Sequence, residues 1–67
     1  MQNTTYELYQ VAACHALHYQ QHGLGFKAYE SFLVGVDPRY RDLPEAGLSQ
    51  PPCVQAWHDV MRGASCK

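Results

Sequence analysis

From Thr5 to His22 the chain runs for eighteen residues without a glycine or a proline, and Gly23 follows at once. No other feature constrains the fold as strongly. A run of that length can propagate about five helical turns, and its Ala, Leu, Gln and Glu content favours doing so. Glycine is the residue that most readily takes the left-handed conformation ending a helix. At the other end, Thr4-Thr5-Tyr6-Glu7 has the pattern of a capping box. There the Thr4 hydroxyl would accept from the Glu7 amide and the Glu7 carboxylate would reach back. A helix over Thr5–His22 is therefore predicted.

The apolar residues of this segment are spread widely around its axis. Tyr6, Tyr9, Ala13, Ala16 and Leu17 fall on one stripe, and Leu8, Val11, Ala12 and Tyr19 extend it. Glu7, Gln10, Cys14 and Gln21 leave only a narrow polar strip. A helix apolar over so much of its circumference packs on more than one side.

Further along, Phe26, Tyr29 and Leu33 recur at i, i+3 and i+7, with Phe32 beside them, which predicts a second helix over Phe26–Val34. Gly35 is read as its stop, with Val36 making the accompanying apolar contact. Asp37-Pro38 is a compact helix start, Asp as cap and Pro in the first position. Pro44 confines that helix to Arg39–Leu43, and residues 44–50 read as loop. A last helix is expected from Pro51-Pro52 to Arg62, ended by Gly63, with Val54, Trp57 and Met61 facing inward. Leu17, Leu33, Trp57 and Met61 are the expected core, and residues 63–67 a frayed tail. No period-2 alternation flanked by hairpin turns supports a sheet. The predicted fold is all-α: one domain over 1–67, a compact bundle of three main helices plus one short helical turn.

Charge and motifs narrow the function by exclusion. Five Lys+Arg stand against six Asp+Glu, and charged residues are only 16% of the chain. Phosphate tracking needs clustered basic charge. The closest approach to it, Arg39 and Arg41, is flanked by Asp37 and Asp42. The second helix is too apolar to read base edges in a helix-turn-helix, so no nucleic-acid partner is expected. No run approaches the ~18 apolar residues of a membrane span, and Met1–Glu7 lacks the basic and apolar regions of a signal peptide. A cytoplasmic protein without a membrane partner is the expectation. Cys14, Cys53 and Cys66 are an odd number and read as free thiols rather than a disulfide framework.

Nothing here resembles a catalytic kit. GxSxG, P-loop and GxGxxG patterns are missing, and Cys14 and His15 point about 100° apart on a helix, so they do not face each other. The chain is expected not to be an enzyme and to need no cofactor. The sharpest constellation is histidine: His15, His18 and His22 at i, i+3 and i+7, with His58 on the last helix. Neutral imidazole is the commonest metal ligand. The spacing matches no established metal motif, however, and carries no carboxylate at a fixed offset to orient the rings. His15 is expected partly buried beside Val11, and His18 and His22 as a wet edge near the negative end of the helix dipole.

What remains is five tyrosines, two phenylalanines and one tryptophan in a chain too small to bury them all. Below about 70–80 residues a single core rarely supplies more than about 3–5 kcal/mol, so such chains need a further stabiliser. The expected function is a small protein-interaction module that dimerises or covers part of a larger protein partner. Small accessory or inhibitor proteins of phages and mobile elements work this way, an analogy of size and character. The expected contact residues are Leu8, Val11, His15, His18, Tyr19, His22 and Tyr40. The alternative is a helical protein binding a metal or small ligand through His15, His18, His22 and His58.

Overall fold

In a computed structural model, which describes residues 4–64, the chain is all-helical and contains no strand among those residues. The order is α1 (Thr4–Gln21), α2 (Phe26–Val36), α3 (Arg39–Asp42) and α4 (Pro52–Met61). Three longer helices and one short one are thus arranged as the periodicity implies.

Two helices stop by the same device. Gly23, at φ +72°, donates to the Gln20 carbonyl at 3.1 Å while the Leu24 amide donates to that of Tyr19 at 2.9 Å. Gly63, at φ +105°, donates to Val60 at 3.0 Å, and the Ala64 amide to Asp59 at 2.9 Å. Each pair is a complete Schellman motif. Gly63 and Ala64 thus carry the motif that closes α4, at the start of the tail expected over 63–67. Its remainder, 65–67, lies outside the described residues.

Two boundaries differ from expectation. Helix α1 already includes Thr4, so Thr4 is not its cap. Its neighbour Thr5 is buried instead, at 2% exposure. Helix α2 passes through Gly35 and ends at Val36. Pro38 is the reason. A residue before proline is driven out of the α region, and Asp37 is extended at φ −152°, ψ 109°. Gly35 has no such constraint and stays helical. Asp37 still performs the capping chemistry, its Oδ1 accepting from the Arg39 amide at 3.0 Å.

The most extensive helix–helix contact is between α1 and α4. The buried face of α1 is Thr5, Leu8, Ala12, Ala13 and Ala16, and that of α4 includes Cys53, Ala56, Trp57 and Val60. From α2, Tyr29 and Leu33 enter the same core. Tyr29 is fully buried, its ring centroid 4.8 Å from that of Trp57 and its hydroxyl donating to the Cys53 carbonyl at 2.7 Å. Burial raises its ionisation well above the usual tyrosine range.

Two expected positions move. Met61 is 64% exposed and not in the core, because the α4 face that turns inward is the one carrying Cys53, Ala56, Trp57 and Val60. Leu17 is only partly buried, packed against the core from outside. Leu33 and Trp57 are buried as expected. Replacing Leu33 by Ala should accordingly cost about 2–5 kcal/mol, enough to unfold much of the population. Met61→Ala should change stability by no more than about 0.5 kcal/mol. Urea titrations followed by circular dichroism read both values.

Candidate functional site

Where α1 passes α2, a groove of about 440 Å³ opens between Cys14, His15, His18 and Tyr19 of the first helix and Phe32 of the second. The register across it is antiparallel. Tyr19 meets Tyr29 and Phe32 at centroid distances of 6.0 and 6.2 Å, and His15, one turn back, meets Phe32 at 5.2 Å. One further turn along each helix, Val11 and Val36 are 46% and 66% exposed, and Phe32 itself is 43% exposed.

The histidines occupy the other end. His15 is half-buried against Phe32, while His18 and His22 are exposed. The rings of His18 and His22 lie 4.3 Å apart, and the edge of Tyr19 approaches His18 at 6.0 Å. The half-buried His15 and wet His18–His22 edge are as the helical spacing implies. Val11, His15, His18, Tyr19 and His22 therefore share one side of α1.

Two expected contact residues do not join them. Leu8 is only 9% exposed, because it falls on the α1 face turned to the core, one turn before Ala12. Tyr40 is 4% exposed, since α3 folds back and carries its ring into the same core, where burial raises its ionisation. Both are corrected from surface to interior. Phe32 and Val36 are the residues the expected contact set lacks. Phe32 stands about 100° around the helix from Leu33, so its departure from the inward stripe is readable from spacing alone.

His58 is exposed on α4. Among the described residues no three or more His, Cys, Asp or Glu side chains are grouped so as to hold a metal ion. The cysteines are not all free thiols. Cys14 is disulfide-bonded, while Cys53 is free and buried. Among the described residues no helix is long and apolar enough to cross a membrane.

On the α4 side the surface is organised around Asp59. Its Oδ2 accepts from the Tyr9 hydroxyl at 2.6 Å, and its Oδ1 accepts from Gln55 Nε2 at 3.0 Å and from Arg62. The Tyr9 bond fastens α1 to α4, and the bonds from Gln55 and Arg62 brace the Asp59 carboxylate within α4 and its C-cap.

No family model, curated protein or solved structure matches this chain.

The Tyr9–Asp59 bond generates a prediction. The hydrogen bond to Asp59, then burial, pushes the Tyr9 phenol up to about 12. A phenol held neutral in the fold contributes stability that is intact below the ordinary tyrosine value near 10. That contribution is lost as pH rises from about 10 towards 12, because only the unfolded chain ionises. Tyr9→Phe should cost about 1 kcal/mol at neutral pH, after discounting for solvent screening, and should flatten the alkaline decline in this window. Thermal melts of both proteins across that range measure it.

Proposed function

We propose that the protein works by non-covalent association through the α1/α2 face, with a second copy of itself as the partner. The observation that carries this reading is the exposure of Val11, Phe32 and Val36 beside the groove. Clustered exposed apolar side chains rimmed by polar ones mark interaction surfaces more often than they mark ordinary solvent-facing surface. Aromatic residues supply contact area at low entropic cost, and Phe32, Tyr19 and His15 are already ordered against one another.

Self-association is favoured by charge and size. None of the residues lining the groove is an Asp, Glu, Lys or Arg. A two-fold axis through this face would therefore bring no like fixed charges together. A chain of 67 residues also gains stability from extending its apolar core across such an axis. In this arrangement the contact surface is Val11, His15, Tyr19, Phe32 and Val36, with His18 and His22 on its rim.

Sedimentation equilibrium over a hundredfold range of concentration tests it. A reversible dimer is expected, and Val11→Glu or Phe32→Glu should shift it to monomer while leaving the helical content unchanged. Val11→Glu should destabilise the monomer by no more than about 0.5 kcal/mol, whereas Phe32→Glu also loses the ring contacts with His15 and Tyr19 and should cost about 0.5–1.5 kcal/mol. A protein that is monomeric at every concentration, or a dimer indifferent to both substitutions, overturns the assignment.

A further inference from the structure

We infer that the last turn of α1 is an exchangeable binding site for a divalent transition-metal ion, chelated by His18 and His22. Residues four apart on a helix project from the same face one turn apart. Regular helical bonding extends to this point, the His22 amide donating to the His18 carbonyl at 3.1 Å, so the spacing of the pair is fixed by backbone. The two rings stand 4.3 Å apart, centroid to centroid, with their planes inclined at 44°. At that separation a small side-chain rotation lets one nitrogen of each ring reach a common ion at about 2.0–2.1 Å. The same i, i+4 spacing serves the two histidines of helical zinc motifs, for the same geometric reason.

The surroundings favour a chelate of two protein ligands and no more. The His15 ring packs on Phe32 at a centroid distance of 5.2 Å. Cys14 is disulfide-bonded and offers no thiolate. Neither His18 nor His22 enters an ion pair among the described residues, so no carboxylate competes for them. Both imidazoles are exposed, and water or an incoming ligand fills the other coordination positions. Such a site exchanges its ion with solvent and differs from a resident cofactor centre, which is closed by three or four protein ligands. Imidazole donors and the general order of divalent affinities put Cu²⁺ first, ahead of Ni²⁺ and Zn²⁺.

The inference does not depend on self-association, since both ligands come from one chain. Its test uses full-length protein purified without a polyhistidine tag. Calorimetric titration with Cu²⁺ at about pH 7.5 should show one ion per chain. The electron paramagnetic resonance spectrum should carry superhyperfine splitting from two nitrogens. His18→Ala and His22→Ala should each weaken binding by about tenfold or more, because the second donor then loses its high effective concentration. His15→Ala and His58→Ala should leave the affinity unchanged. Ala is at least as helix-favouring as His, so the variants keep the helix. Cu²⁺ should also raise the melting temperature of the parent and not of the His18→Ala, His22→Ala double variant, because only the folded helix holds the pair together. Equal affinity in parent and double variant, or no binding up to about 1 mM ion, would overturn the site.

Discussion

The architecture rests on the packing of α1 against α4, and that packing rests on alanine. Ala12, Ala16 and Ala56 are fully buried and Ala13 nearly so. An alanine contributes little apolar area of its own, but a face of alanines lets two helix axes come close. Larger neighbours then close over the seam: Leu8 from α1, and Trp57 and Val60 from α4, with Tyr29 and Leu33 of α2 laid across. Because the closest packing uses one side of α1, the other side is left to α2, whose contact with it is much less extensive. The exposed aromatic and histidine face is a direct consequence.

An alanine seam is short on directional information, and hydrogen bonds supply it. Tyr9 reaches from α1 to Asp59, and Tyr29 reaches from α2 to the Cys53 carbonyl. These two bonds tie the flanking helices to opposite ends of α4. Burying a tyrosine hydroxyl without a partner would cost about 1–3 kcal/mol, so each bond excludes shifted packings in which it is unmade. Shape thus sets how near the helices lie, and the phenols set their register.

How much of this is legible in sequence depends on the range of the cause. Gly23 and Gly63 are readable as helix stops because the left-handed conformation is a local property of one residue. Pro38 outranks Gly35 for an equally local reason: proline forbids the helical conformation of the residue before it, whereas glycine only weakens the helix. Leu8, Tyr40 and Met61 are different. Each is apolar enough to face either way, and what decides is the azimuth at which α1, α3 and α4 meet. Periodicity reports that a helix has a buried face but locates it poorly when the apolar residues run most of the way around, as they do in α1. The site is partly legible for the same reason. Val11, His15, His18, Tyr19 and His22 follow from the helical spacing, whereas the contribution of Phe32 and Val36 depends on how α2 crosses α1.

The two ends of the α1/α2 face have different chemistry, and that difference decides what each can do. Around Val11, Phe32 and Val36 the surface is apolar and hydrogen-bonds little, so it gains from being covered by another apolar surface and would hold an ion poorly. Around His18 and His22 it is polar and hydrated, so covering it would require replacing the water around two imidazoles. A contact centred on Phe32 need not pay that desolvation cost if it leaves the histidine turn at its rim. The same placement keeps the imidazole nitrogens open to solvent, as an exchangeable ion site requires. The i, i+7 spacing of Val11 and His18 puts both on the same side of α1, two turns apart. Association and metal chelation can therefore share one helix without competing for the same atoms.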